Sequence, residues 1–198
     1  MDRNLKENKR FFDGCAASYD KGIVPYWMKM FYRSALEDIG MEGCVLDVSC
    51  GTGNLLEELS RRGHQQLVGI DYSSEMVEIA RRKLGDRAMI QKADVHHLPF
   101  DDESFRYVVT TEAFHHYYNQ PQALQELVRV TERGGRVIVC DLNFFLEPIH
   151  WVFQKIEPGC AKINSRREMR GLFEQAGLQS IQQQRSFLFA VKTVGVKL

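Results

Sequence analysis

The chain lacks an excess of charge of either sign. Its 198 residues include 26 Lys plus Arg and 26 Asp plus Glu, so the formal net charge is zero. No run of five or more basic residues occurs, and a balanced chain has no overall field that attracts a polyanion. These absences count against a nucleic-acid partner, and we expect none.

Long apolar runs are also absent. A membrane-spanning helix needs about 20 consecutive apolar residues, and no stretch approaches that length. Residues 1–10 are charged and polar, unlike a secretory leader. The five cysteines are scattered and never form a C-x-x-C pair. We expect a cytoplasmic protein with reduced thiols and no membrane partner.

Strand-like apolar runs alternate with helical patterns through the body of the chain. This alternation favours a parallel sheet with helices on both faces. A helix that begins at Pro121 is predicted to end at Gly134-Gly135. The last two runs have too little between them for a crossover helix, so we predict an antiparallel hairpin there. The predicted strands are residues 44–48, 66–71, 89–93, 105–111, 136–142, 178–184 and 187–196.

We predict a single domain over residues 1–198. Within it, residues 1–43 form a helical cap, residues 44–142 the core, residues 143–164 a lid, and residues 165–198 a helix and the hairpin. The lid is predicted to be irregular because Pro148, Pro158 and Gly159 interrupt it. It should lie over the mouth of the site and determine specificity. Its aromatic residues are Phe144, Phe145, Trp151 and Phe153.

A glycine turn, residues 47–53 (DVSCGTG), follows the first predicted strand. In doubly wound sheets, ligands bind beyond the carboxyl ends of the strands, where the strand order reverses. Gly51 and Gly53 permit positive φ and a close approach of the backbone to a ligand. Taken alone, the turn indicates either a nucleotide site or a tight strand-to-helix connection.

Acidic residues narrow the choice of ligand. A dinucleotide turn requires a third glycine, but Leu56 stands at that position. Asp47 precedes the turn, where its carboxylate repels a pyrophosphate and attracts an ammonium or sulfonium group. Asp71 ends the second strand and is placed to accept hydrogen bonds from ribose hydroxyls, and Asp94 follows the third, near an adenine amine. Capping of the following helices is the competing explanation for all three acids.

Four segments resemble the class I S-adenosylmethionine (SAM)-dependent methyltransferases, in particular their small-molecule branch. They follow the family's order over residues 40–145. The resemblance implies an α/β fold, built as a three-layer α-β-α sandwich. Its sheet is doubly wound, seven-stranded and mostly parallel, with one antiparallel strand and the strand order 3-2-1-4-5-7-6. It also implies SAM as cofactor, S-adenosylhomocysteine as product, and in-line transfer to a small-molecule acceptor. The segments are residues 45–53 (VLDVSCGTG), 69–76 (GIDYSSEM), 93–100 (ADVHHLPF) and 134–138 (GGRVI).

The resemblance assigns residues to each part of the cofactor. The acids and glycines of the turn line the methionine part, and Asp71 binds the ribose. Ser49 replaces the usual first glycine, so its hydroxyl either bonds the ligand carboxylate or crowds the methionine chain. The full cofactor-binding set is Tyr19, Asp47, Ser49, Gly51, Gly53, Asp71, Tyr72, Met76, Asp94, Val95, Thr111 and Glu112.

No catalytic side chain is required by this chemistry. SAM supplies an activated methyl group, so positioning alone lowers the barrier, and a base serves only an acceptor that must lose a proton. His115 and His116 are the candidate bases, although we interpret them mainly as structural. Neither this pair nor His96-His97 has the spacing of zinc ligands, so we expect no metal.

Three other functions are compatible with parts of the pattern. The same fold methylates RNA or protein in some relatives, and a SAM-binding fold also serves as a non-catalytic subunit. An NAD-linked oxidoreductase is disfavoured by Asp47 and by the missing third glycine.

Overall fold

The computed structural model describes residues 3–144 and 147–198. Its strands are β1 (Val45–Val48), β2 (Leu67–Asp71), β3 (Met89–Lys92), β4 (Phe105–Thr111), β5 (Thr131–Leu142), β6 (Gln179–Phe187) and β7 (Ala190–Val196). They form one sheet of order β3-β2-β1-β4-β5-β7-β6. The pairs from β3 to β5 are parallel, and β7 runs antiparallel to both β5 and β6. The predicted fold class and strand order are confirmed.

Helices cover both faces of this sheet. They are α1 (Arg3–Tyr19), α2 (Val24–Ala35), α3 (Asn54–Arg61), α4 (Ser74–Leu84), α5 (Gln120–Val130), α6 (Glu147–Ile156) and α7 (Arg166–Gln175). Successive strand residues point to opposite faces, so Leu46 packs in the core that α5 and α7 cover, and Val45 packs in the core under α3 and α4. Within the described ranges, no helix combines the length and apolarity that crossing a membrane requires.

The N-terminal helices are held against the body by specific contacts. The Trp27 ring of α2 meets the Phe187 ring edge to face, with 5.4 Å between centroids. Lys192 of β7 is buried and reaches the carboxylates of Glu37 and Asp38, just beyond α2, at 2.9 and 2.7 Å. An ammonium group buried this deeply requires such partners.

The boundary between α5 and β5 differs from the prediction. The helix ends at Val130 rather than at Gly134-Gly135, and β5 begins at Thr131 rather than Arg136. The reason is long-range pairing. Thr131 pairs with Phe105 of β4 across an irregular step in the register, and the Gly134 amide donates to the carbonyl of Lys197.

The predicted irregularity of residues 143–164 is wrong over α6. Pro148 is the second residue of this helix, a position where proline fits because the missing N–H has no intrahelical partner. Phe144 and Phe153 pack together with 4.6 Å between their ring centroids. Phe145, one of the predicted lid aromatics, lies outside the described residues.

Candidate active site

A cleft opens beyond β1, β2 and β4, where the strand order reverses between β1 and β4. Doubly wound sheets bind their ligands at this position. The cleft encloses about 1020 Å³ that protein atoms do not fill, including open solvent at its mouth. The predicted cofactor residues that line it are Tyr19, Asp47, Ser49, Gly51, Asp71, Tyr72, Met76, Asp94, Val95, Thr111 and Glu112.

Gly53 is the one predicted cofactor residue that does not border the cleft. Its φ is +82°, and a Cβ there would lie 2.8 Å from the Leu84 side chain of α4. Glycine at this position therefore permits α3 to pack closely against α4. Gly51, with φ of +53°, does face the cleft.

Ser49 adopts left-handed backbone although it carries a side chain. Its φ is +64°, a region that costs a non-glycine residue about 1–2 kcal/mol. The Ser49 hydroxyl lies 3.0 Å from the hydroxyl of Tyr117, which in turn lies 2.9 Å from the Thr110 hydroxyl. This chain of hydroxyls compensates part of the strain. A contact of Ser49 with a ligand carboxylate stays a prediction.

Two substitutions of Ser49 should separate strain from hydrogen bonding. Ser49→Ala keeps the strained Cβ and loses the bond to Tyr117, whereas Ser49→Gly also removes the strain. We expect Ser49→Gly to be the more stable of the two variants by about 1 kcal/mol. Urea unfolding midpoints measure the difference, and equal midpoints would show that the backbone at this position is unstrained.

Asp47 is the most deeply buried acid of the cleft, with 2% of its surface exposed. Burial, reinforced by the nearby Asp71 carboxylate, raises its pKa well above the usual range. Among the described residues, its Oδ1 atom has no hydrogen-bond partner. An ionised carboxylate in this setting is stabilised by a cationic group more than by any neutral one.

Asp71 holds the glycine turn and the start of α4 at the same time. Its Oδ2 accepts from the Gly51 amide at 2.9 Å, and its Oδ1 accepts from the Ser73 amide at 2.8 Å. Ser73 caps α4 by accepting from the Met76 amide. Burial raises the pKa of Asp71 to about 6, although these amides favour the ionised form.

Asp94 differs from the other two acids because it is paired. Its Oδ1 accepts from the His96 amide at 2.9 Å and lies 2.7 Å from His96 Nδ1. Burial acts to raise the Asp94 pKa, but the bonds from His96 outweigh it and the pKa is lowered. The His96 ring also stacks on Tyr118 at 3.7 Å between centroids.

The N-terminal helices form the roof of the cleft. Asn8, Phe12 and Tyr19 of α1 line it, together with Met28 and Tyr32 of α2. Of these, only Tyr19 was predicted. The other four carry no local motif, and their place depends on how the helices dock. The roof is joined to the glycine turn because the Thr52 hydroxyl donates to Asp20 Oδ1 at 2.7 Å.

Glu112 stands at the end of β4 with its own strained backbone, at φ of +50°. The Trp27 indole N–H of α2 donates to its carboxylate. Burial raises the pKa of Glu112 to about 8 despite that hydrogen bond. Glu112 thus connects the roof to the sheet.

His115 and His116 occupy different environments. His115 is fully buried and does not line the cleft, and its Nδ1 lies 2.6 Å from Asp141 Oδ1. Burial favours its neutral form, but the carboxylates of Asp141 and Glu157 outweigh burial and raise its pKa to about 10. His116 borders the cleft, and burial together with the neighbouring His115 lowers its pKa to about 3.

The predicted lid contributes differently from expectation. Of the residues 143–144 and 149–164, whose side chains the structure describes, none lines the cleft, and its roof comes from α1 and α2. The segment reaches the back of the cleft wall through Glu157, which lies 3.4 Å from His115 and 3.9 Å from His116. A role in specificity stays a prediction.

The charges of the cleft fit SAM better than a dinucleotide. Asp47 offers an unpartnered carboxylate oxygen to the ammonium and sulfonium groups of SAM, and the same oxygen repels a pyrophosphate. Asp71 and Asp94 stand at the ends of the next two strands and line the same space.

Comparisons with known proteins agree with this geometry. The family described as "Methyltransferase domain" matches residues 46–139. The ubiquinone/menaquinone biosynthesis C-methyltransferase of Geotalea daltonii is 31% identical over 167 residues, which cover 76% of this chain and 71% of the relative. The demethylmenaquinone methyltransferase of Lactiplantibacillus plantarum is 26% identical, with 92% of each chain covered.

Two further comparisons show how much of a relative's length this chain covers and which fold it shares. The demethylmenaquinone methyltransferase of Thermotoga maritima is 34% identical over 71% of this chain, which spans only 63% of that relative's length. A chain from the Haloferax volcanii complex of the Trm112 methyltransferase activator with a methyltransferase superposes with a TM-score of 0.83. It is 27% identical, with 93% of this chain and 96% of that chain covered.

The chain belongs to the class I SAM-dependent methyltransferases, and its cofactor is SAM. The class of enzyme and the cofactor predicted from the sequence are both confirmed.

Proposed function

We propose that the protein transfers the methyl group of SAM to a small molecule with an apolar, aromatic body. The lining of the cleft carries this proposal, because Phe12, Met28, Tyr32 and Tyr118 enclose the same space as the acids. Apolar walls with a few polar groups are typical of small-molecule sites. Relatives named for menaquinone and ubiquinone synthesis support a quinone precursor in its reduced, hydroxylated form.

The cofactor is proposed to lie along the strand ends. Asp47 and Gly51 bind the methionine part, with Thr111 and Glu112 beside it, and Asp71 accepts from the ribose hydroxyls. The remaining contacts are packing of Tyr72 and Met76 on the adenosine, Asp94 and Val95 at the adenine, and Tyr19 over the cofactor. Their common lining of one cleft supports this assignment.

The reaction is an in-line displacement. The acceptor atom attacks the methyl carbon, the carbon–sulfur bond breaks, and S-adenosylhomocysteine leaves with the electron pair of that bond. A hydroxylated aromatic ring loses one proton in the process, which a nearby group or water takes up. The protein contributes by holding both molecules in one cleft, where orientation lowers the barrier.

The organisation predicted from the sequence is also part of the proposal. A single domain comprises a cap (residues 1–43), the core (44–142), the segment 143–164, which reaches the back of the cleft wall through Glu157, and a terminal helix and hairpin (165–198). We propose a cytoplasmic location, which the five cysteines support because all of them are free thiols. The balanced charge supports a small-molecule partner over a nucleic acid.

A radiolabel assay tests the acceptor. The protein is incubated with methyl-labelled SAM and, in separate reactions, a reduced prenylated naphthoquinone, transfer RNA and a mixed protein substrate. We expect label in the solvent-extracted quinone, and about 10- to 150-fold less with Asp47→Asn at limiting SAM. Label confined to the RNA or protein fraction would contradict a small-molecule acceptor.

A further inference from the structure

Four unpartnered polar atoms belong to residues at or next to the wall of the cleft. In the described part of the chain, Asn8 Oδ1, His115 Nε2, His116 Nδ1 and Glu157 Oε2 are buried without a hydrogen-bond partner. Burying such an atom without a partner opposes folding, and native folds contain few of them. One of them, His115 Nε2, lies 3.4 Å from Glu157 Oε1 and is available to bind a metal.

Three of these residues present metal-binding atoms to a common point. One ligand atom from each of His115, His116 and Glu157 lies within 4.8 Å of the other two. Glu157 Oε1 is 3.4 Å from His115 Nε2 and 3.9 Å from His116 Nε2. Bonds of about 2.0–2.2 Å place the ligands of a tetrahedral zinc ion about 3.3–3.5 Å apart. The distance from Glu157 to His115 already meets this value, the distance from Glu157 to His116 exceeds it by about half an ångström, and the third pair lies within 4.8 Å. A movement of at most about 1.5 Å therefore completes the set.

The surrounding structure fixes these ligands as metal sites in proteins do. His115 Nδ1 is held 2.6 Å from Asp141 Oδ1, which leaves Nε2 as the coordinating atom. The His115 carbonyl accepts from the amides of Ala161 and Lys162 at 2.8 and 3.0 Å. Asn8 Nδ2 donates to the His116 carbonyl at 3.1 Å. Both histidines are thus oriented through their backbone.

The charge around the point favours a cation. The carboxylates of Asp141 and Glu157 lie 2.6 and 3.4 Å from the two ring nitrogens of the buried His115, and the Glu157 side chain is 24% exposed. A protonated His115 between Asp141 and Glu157 is the competing explanation. That ion network accounts for the position of His115, but not for that of His116 Nε2, which lies 3.9 Å from Glu157 Oε1, beyond hydrogen-bond distance.

We propose that His115, His116 and Glu157 bind one divalent transition-metal ion of the zinc class. Two imidazoles and one carboxylate are a donor set that zinc uses in catalytic sites, with a further position open. Because His116 borders the cleft, an open position on that side would bind a hydroxyl oxygen of the acceptor and lower its pKa. That role rests on the proposed function, whereas the site itself does not.

Metal titration of the full chain tests the site. Chelator-treated protein is titrated with Co²⁺, whose visible absorption intensifies in a tetrahedral site, and Zn²⁺ is then added as competitor. We expect one equivalent to bind and Zn²⁺ to displace it. Glu157→Gln and His116→Asn should each weaken binding by more than about 100-fold, and Asp141→Asn by about 10- to 100-fold.

His97→Asn is the matched control, because His97 is an exposed histidine outside the cluster. It should bind Co²⁺ as the wild type does. Absence of a one-equivalent site, or equal binding by all the variants that remain folded in thermal melts, would overturn the proposal. Calorimetry with SAM on the same samples distinguishes a failure of the metal proposal from a failure of the proposed function. Intact SAM binding without a metal site refutes only the metal, whereas absent SAM binding refutes the proposed function.

Discussion

Replacing Asp47 with asparagine should stabilise the SAM-free protein and at the same time weaken SAM binding by about 10- to 150-fold. The loss of affinity follows from removing one charged partner of the ammonium group, worth about 1.5–3 kcal/mol. Asp47 is buried at 2% exposure with an unpartnered oxygen. In these surroundings an ionised Asp47 strengthens the binding of SAM but lowers the free energy of unfolding of the SAM-free protein.

The sign of the stability effect follows from the raised pKa of Asp47. The folded state keeps the Asp47 proton at pH values where the unfolded chain has already lost it. Ionisation of Asp47 therefore costs folding stability as the pH rises above about 4. Asp47→Asn should gain about 1–3 kcal/mol at pH 8 and much less at pH 4.

Urea unfolding and calorimetric titration with SAM measure the two effects. Asp101→Asn is the matched control, because Asp101 lies exposed in the turn before β4, and it should change neither quantity. An Asp47→Asn protein that binds SAM with unchanged affinity would mean that the ammonium group lies elsewhere.

Asp71→Ala should weaken SAM binding by about 100-fold or more. The substitution removes a charged acceptor from the ribose, worth about 1.5–3 kcal/mol. It also leaves the amides of Gly51 and Ser73 without the carboxylate that orients them. Both effects weaken SAM binding on the same face of the cleft, so we expect the two losses of binding free energy to add.

The pKa of Asp71, raised by burial to about 6, adds a pH dependence. Below pH 6 the carboxyl is protonated and accepts poorly from ribose hydroxyls. The dissociation constant of SAM should therefore be about tenfold higher at pH 5 than at pH 7, by the proportion of the ionised form. The dependence of SAM affinity on pH should be smaller in Asp71→Asn. A wild-type affinity for SAM that is constant from pH 5 to 7 would contradict the binding of the ribose by Asp71.

The parts of the fold that the sequence predicts are those set by local patterns. The apolar runs define the strands, and the carboxyl ends of parallel strands meet at one edge, so the sequence predicts Asp47, Asp71 and Asp94 close together. Ser49 was recognised as a departure from glycine. Its left-handed backbone and its bond to Tyr117 were not, because they depend on contacts 68 residues away.

The features that escaped prediction depend on how distant segments dock. The early start of β5 reflects pairing of Thr131 with Phe105, which outweighs the local glycine signal at Gly134-Gly135. The roof residues of α1 carry no motif of their own. Glu157 meets His115 only because residues 157–162 fold back onto the short turn after β4, so the spacing of the histidine pair alone gave no indication of a metal site.

Calorimetric titration of the purified chain with SAM and, in parallel, with NAD tests the central claim most directly. The charges at Asp47 and Asp71 predict one SAM molecule per chain, competition by S-adenosylhomocysteine, and no heat from NAD. Binding of NAD without SAM, or of neither ligand, would contradict the assignment of this cleft.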